Sequence, residues 1–187
     1  MHARPCLTHL GVYTDRPDDM QAFYTEVLGL VVSDTGRGRL FPRRIIFMTG
    51  SAAEHHQFVL VAREPGDPPG GALFQVSFKM SSLEQLRAVV QRALARQVTG
   101  LRRIDHGNAW SVYFHDPDRN AVEVYMDTGW HVPQPYADEL SLELPETELQ
   151  RRTAERVRDC AGALPLAEWR AQLSRRLAAA QGACEAP

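Results

Sequence analysis

Sliding the chain along itself by 66 positions lays HLGVYTDRPDDMQAFYTEVLGL over QVSFKMSSLEQLRAVVQRALAR, and this self-overlap restricts the fold more than any other feature of the chain. Met20 falls on Leu86, Phe23 on Val89, Tyr24 on Val90, Val27 on Ala93 and Leu28 on Leu94. That spacing of three and four is the apolar stripe of an amphipathic helix, met twice in the same phase. Each helix follows a short strand of alternating character, LTHLGVYT or LFQVSFKM. Asp15 to Asp19 supply capping residues for the first helix, and Ser81 and Ser82 followed by Glu84 do so for the second. Gly29 suits the end of the first helix.

Three more strands are expected after each helix. They lie around VVSDTG, RRIIFMTG and HHQFVLVA in the first half, and around LRRIDH, WSVYFHD and AVEVYMD in the second. DPDRN, residues 116 to 120, reads as a turn, with Asn120 able to take the left-handed conformation. The unit is therefore βαβββ, present twice, at about residues 5 to 64 and 72 to 130. EPGDPPGG, residues 64 to 71, is the linker between the halves. The expected class is α+β: two paired βαβββ modules forming a curved mixed sheet around one cavity, plus a C-terminal helical extension. One helix cannot cover both faces of a four-stranded sheet, so the two concave faces should enclose a site.

The 187 residues are 44% apolar and 24% charged with a formal charge of −2, which provides no basic face for nucleic acid or an anionic membrane. No apolar run is long enough to span a bilayer, and MHARPCLTHL lacks a signal-peptide core, so a cytoplasmic protein is expected. Cys6, Cys160 and Cys184 are odd in number and without CxxC spacing, which suggests neither a disulfide framework nor a cysteine metal site.

Alternation along the strands sorts the remaining polar residues. In LTHLGVYT, Leu10 and Val12 should meet the helix while His9, Gly11 and Tyr13 face the cavity. In LFQVSFKM, Val76 and Phe78 take the helix side, leaving Gln75 and Ser77 inward. Gln75 is thus the repeat partner of His9. In AVEVYMD, Glu123 and Tyr125 point inward, and a buried carboxylate is expensive unless it is paired or bound to a metal. Counting back 67 residues from Glu123 reaches His56. His9, His56, Gln75 and Glu123 are therefore expected to converge on a divalent ion such as Fe(II), Mn(II), Zn(II) or Ni(II). Taken singly, a strand histidine is more often a satisfied polar residue than a ligand, and a strand glutamate more often lies at an edge. The repeat, found from apolar positions alone, is what brings these exceptions into register.

Over residues 5 to 130 the chain resembles the vicinal oxygen chelate superfamily of glyoxalases, bleomycin- and fosfomycin-resistance proteins and extradiol ring-cleaving dioxygenases. HGNAWSVYFHDPDRNAVEVYMD is similar to the closing hairpin that carries the family's glutamate ligand. The extradiol branch, which holds Fe(II) with two histidines and one glutamate, is matched at His9 and Glu123. It is also matched at His56 for the catalytic histidine, at Tyr113 ten residues before Glu123, and at His106 upstream. Gln75 stands where that branch has its second histidine ligand, although glyoxalase-type members do use glutamine, and Arg119 replaces the glycine of a DPxGN turn. The resemblance implies metal ligation by His9, Gln75 and Glu123, catalytic roles for His56, His106 and Tyr113, and aromatic catabolism by O₂-dependent cleavage of a catechol-like diol. A glyoxalase-like isomerase or lyase with His56 as a fourth ligand stays open, as does a non-catalytic protein binding an aromatic ligand or drug.

Residues 131 to 187 fall outside the repeat. LPETELQRRTAERVRD and PLAEWRAQLSRRLAAA read as helices joined to the modules by DTGWHVPQPYADE. The stripe Leu166, Trp169, Leu173 and Leu177 should either cover the outer sheet surface or join two subunits as a homodimer. The tail AQGACEAP is expected to be disordered.

Overall fold

The repeated pattern builds two matched sheets. The computed structural model describes residues 6–37, 42–67 and 73–183, the last five as backbone. The first module runs β1 (Leu10–Thr14), α1 (Pro17–Glu26), β2 (Val31–Arg37), β3 (Arg44–Thr49) and β4 (Phe58–Ala62). The second runs β5 (Val76–Lys79), α2 (Leu83–Ala95), β6 (Arg102–Asp105), β7 (Ala109–His115) and β8 (Ala121–Asp127). Strand order is β1-β4-β3-β2 in one and β5-β8-β7-β6 in the other. In both, the first and last strands pair in parallel and the other pairs are antiparallel. A parallel pair cannot be closed by a tight turn, and the helix is the crossover that each module places between its outer strand and the meander.

The apolar stripes go where their phase sends them. Met20, Phe23 and Tyr24 of α1 and Leu83, Leu86, Val89, Val90 and Ala93 of α2 are buried. They share one core with Ile46, Met48, Phe58 and Leu60 of the first sheet and Trp110, Val112, Phe114, Val122 and Val124 of the second. Tyr24 joins the modules: its ring lies 4.3 Å from that of Phe58 and 6.1 Å from that of Phe78. Its hydroxyl donates to Asp116 Oδ2 at 3.0 Å. Burial drives the Tyr24 phenol well above its ordinary range, with the Asp116 carboxylate adding to the effect. The α2 N-terminus is capped by Ser82, whose Oγ accepts from the Gln85 amide, whereas α1 starts at Pro17 without a side-chain cap. Gly29 sits at φ +76° just after α1.

Beyond the modules come β9 (Trp130–His131), β10 (Asp138–Glu139), α3 (Glu146–Val157), β11 (Leu164–Pro165) and α4 (Leu166–Ala183). β10 extends the second sheet beside β6, and β9 pairs with β11. These short pairings carry no periodic signal and were not foreseen. α3 buries Leu149, Thr153 and Val157. Trp110 Nε1 donates to Thr153 Oγ1 at 2.9 Å, and that hydroxyl donates to the buried Asp105 at 2.6 Å. α4 is held by Trp169 stacking on His131 at 4.6 Å and by Arg170 donating to Asp127 at 2.5 Å. Its expected apolar stripe is only partly covered, Leu177 remaining 44% exposed. No described helix is long and apolar enough to cross a membrane. Cys6 and Cys160 are free thiols, while Cys184, linker residues 68–71 and tail residues 184–187 lie outside the described residues.

The turn after β7 differs from expectation in one residue. Asp116 accepts from the Asn120 amide at 2.8 Å and from its Nδ2 at 2.9 Å, and the left-handed residue is Arg119, at φ +67°. A residue with Cβ is disfavoured there by about 1 kcal/mol, of which glycine's extra unfolded-state freedom cancels part. Arg119→Gly is therefore expected to raise the thermal midpoint by about 1–3 °C, as measured by circular dichroism.

Candidate active site

Register decides which side chains share the inner face. In β5 against β8, Ser77 pairs with Glu123, and in β7 against β8, Tyr113 pairs with Glu123. All three side chains thus leave the sheet on one face. Glu123 is 9% exposed and receives three hydrogen bonds. Ser77 Oγ donates to Oε2 at 2.6 Å, Gln75 Nε2 donates to Oε2 at 2.9 Å, and Tyr113 donates to Oε1 at 2.6 Å. These donors offset the cost of burying the carboxylate, which would be several kcal/mol were it left bare.

A chain of contacts leads away from the carboxylate. His106 Nε2 lies 2.9 Å from the Tyr113 oxygen, and His106 Nδ1 lies 2.7 Å from the Tyr136 carbonyl. A carbonyl only accepts, so Nδ1 carries hydrogen. Tyr113 has a single proton and gives it to Glu123. Burial, reinforced by Glu123, holds the Tyr113 phenol far above its usual range, so the hydroxyl remains a donor at neutral pH.

The histidines of the first module gather separately. His9 directly precedes β1, and its ring is 4.5 Å from that of His56. His55 Nδ1 and His56 Nδ1 are 2.9 Å apart, and Phe47 packs edge-on against His56. Desolvation and the neighbouring His9 and His55 hold His56 below the ordinary imidazole range.

The ladders correct one sequence expectation. Gly11 pairs with Val59 as Ser77 pairs with Glu123, so the repeat counterpart of Glu123 is Val59 and not His56. The loop before β4 changes the offset there, and His56 lies in that loop, two residues ahead of the strand. The structure joins Gln75 to Glu123 and His9 to His56, and a cleft of about 660 Å³ is lined by His9, Phe58, Gln75 and Ser77 among others. The four predicted ligands do not close into one cluster. No three His, Cys, Asp or Glu side chains are grouped to hold a metal among the described residues. Ser77, absent from the predicted site, is the donor the sequence reading missed. Its inward position was legible, but its pairing with Glu123 needed the strand register.

The donor types nevertheless suit a divalent ion. His9 Nδ1 is engaged by Thr8 Oγ1 at 3.1 Å, which leaves Nε2 available. Gln75 and Glu123 stand 2.9 Å apart, and adjacent ligands on an ion with bonds of about 2.1 Å are about 3 Å from one another. A half-turn of the amide would present its oxygen in place of its nitrogen. One imidazole, one carboxylate and one amide oxygen form a mixed donor set compatible with Fe(II) or Mn(II).

Comparison with known proteins fits this architecture. The model of the Glyoxalase/Bleomycin resistance protein/Dioxygenase superfamily matches residues 7–124, and the chain belongs to that superfamily. A biphenyl-2,3-diol 1,2-dioxygenase of Rhodococcus globerulus is 28% identical over 131 residues, covering 68% of this chain; the match spans 65% of that relative's length. A glyoxylase/bleomycin resistance protein/dioxygenase domain from Frankia sp. EAN1pec superposes with a TM-score of 0.56 at 20% identity, over 67% of this chain and 99% of that one. The fosfomycin resistance protein FosX of Listeria monocytogenes, solved with Mn(II) and sulfate, reaches 0.50 at 15% identity over 67% and 95%. These two likenesses concern the fold.

The raised Tyr113 phenol has a pH signature. Above about pH 10 the unfolded phenol loses its proton while the folded one keeps it, so the unfolded state binds fewer protons and stability falls as pH rises. Urea unfolding between pH 9 and 11 should therefore show a shallower decline for Tyr113→Phe than for the unsubstituted protein. At pH 7 the same variant should lose about 1–2 kcal/mol, because Glu123 Oε1 is left without a donor.

Proposed function

We propose that this protein is an extradiol-type dioxygenase that opens a catechol-like aromatic diol with O₂ at a non-haem Fe(II), with Mn(II), Zn(II) or Ni(II) as other ions the donors would accept. In this reading residues 5–130 carry the reaction and residues 131–187 are an accessory extension. The observation that carries it is the run of hydrogen bonds from Tyr136 through His106 and Tyr113 to Glu123, set on the same sheet face as Gln75.

His9, Gln75 and Glu123 would hold the ion, which when bound supplies a Lewis-acidic, redox-active centre for the diol and dioxygen. Ser77 orients Glu123 from its own strand, as hydrogen-bonding partners of metal ligands commonly do. His56, held toward its neutral form, would accept a phenolic proton from the substrate. Tyr113, kept protonated, would turn its hydroxyl from Glu123, once that carboxylate holds the ion, toward oxygen anions that develop on the ring, with His106 within hydrogen-bond reach behind it. Phe47, edge-on to His56, adds an apolar surface suited to an aromatic ring.

One observation favours a second reading. Glu123 already receives three hydrogen bonds, as would suit a metal-free cup that binds a small aromatic molecule. The glyoxalase-like alternative drew on a symmetric ring of four ligands, and the counterpart of Glu123 is an apolar valine.

Anaerobic reconstitution with Fe(II), metal analysis, and a catechol panel followed by oxygen uptake and the yellow ring-opened product separate these readings. Stoichiometric iron with oxygen consumption is expected, and iron without consumption by any diol would defeat the dioxygenase reading. Gln75→His is expected to bind Fe(II) about 10–100-fold more tightly and to raise turnover, since imidazole is the stronger donor.

A further inference from the structure

The inner face of the second sheet carries two cations on its strands, and they differ in what they meet. Lys79 Nζ is held by Asp127 at 2.5 Å, and Arg170 of α4 reaches the same carboxylate. Arg102 faces no carboxylate among the described residues. It is exposed, stands opposite Tyr113 in the β6–β7 ladder, and its guanidinium lies over the Tyr113 ring at 5.3 Å from the centroid. Its neighbour Arg103 turns to the outer face and pairs with Glu143. The arrangement therefore leaves one uncommitted, planar, five-donor cation, oriented by an aromatic ring whose hydroxyl touches the Glu123 carboxylate.

A second feature sits beside it. Ser111 lies on the same face of β7, two residues before Tyr113, and is fully buried, with an Oγ that makes no hydrogen bond in the structure. Ser111 pairs with Tyr125 on β8 and with Ile104 on β6. A polar group without a partner in the interior is costly, and this one lies in the cross-strand row next to that of Arg102, Tyr113 and Glu123.

Strand spacing sets the scale of the site. With strands about 4.8 Å apart, Arg102 on β6 stands about 10 Å from Glu123 on β8 and about 14 Å from the β5 edge where Gln75 lies, before side chains reach inward. A benzene diol bound at the Gln75 and Glu123 end would direct its opposite edge toward Tyr113 and Arg102. We propose that Arg102 is a specificity-determining residue that binds an acidic substituent, a carboxylate, on the edge of the ring opposite the diol. This rests on the diol-binding reading above and names the substrate class within it. The fork of the guanidinium suits two carboxylate oxygens, and its stacking on Tyr113 restricts the rotamers it would lose on binding.

The test compares two probes with the same diol, 3,4-dihydroxybenzoate and 4-methylcatechol, bound to the anaerobic Fe(II)-loaded full chain and followed by calorimetry at 50 and 300 mM salt. The carboxylated probe is expected to bind about tenfold more tightly at low salt, with the advantage shrinking at high salt. In Arg102→Gln the ratio of the two affinities should fall to about one, and Arg102→Lys should recover part of it. Arg102 is exposed, so both variants should keep the thermal midpoint, which checks that the fold is intact. Equal binding of the two probes, or a preference that survives Arg102→Gln, overturns the role of Arg102 and leaves the diol site standing. Failure of both probes to bind at millimolar concentration overturns the diol site, and the inference falls with it.

Discussion

The parallel pairing of the first and last strand in each module is the constraint on which the rest depends. It aligns Ser77 with Glu123, and a slip of one residue would send Glu123 into the helix-facing core and Val122 or Val124 toward the cleft. The helix between those strands prevents the slip, because its buried stripe packs against Val122 and Val124 only in this register. Packing of apolar side chains thus determines the position of a buried carboxylate.

From that pairing the polar network follows. Glu123 is buried and needs donors, and it finds one on each neighbouring strand, Ser77 on β5 and Tyr113 on β7, with Gln75 at the head of β5. The network is a chain rather than a ring, since it passes through Tyr113 and His106 to a backbone carbonyl supplied by the extension after β9. The extension therefore contributes to this hydrogen-bond network as well as to the core, where Thr153 of α3 bridges Trp110 and Asp105.

Duplication gave the two halves one topology and different chemistry. Where the second module has Ser77 opposite Glu123, the first has Gly11 opposite Val59, and its polar residues sit in the approaches to the strands, at His9, His55 and His56. The polar side chains are consequently distributed asymmetrically, with imidazoles on one module and a carboxylate, an amide and hydroxyls on the other.

Much of this was legible from residue order. Helix phase, the duplicated βαβββ order and the inward direction of Gln75, Ser77 and Glu123 follow from periods of 3.6 and 2, which are local properties of the chain. The equivalence of His56 and Glu123 was not, because a count along the sequence cannot tell a loop residue from a strand residue when loop lengths differ between the halves. Nor could local order reveal the pairing of β9 with β11, the left-handed Arg119, or the hydrogen bonds that fill Glu123. The sequence by itself determined which residues face the same side of each strand; only the tertiary structure decided which strands lie side by side. Hydrogen bonds act over about 3 Å, a distance fixed by neighbours in space that the chain brings together from 48 residues apart.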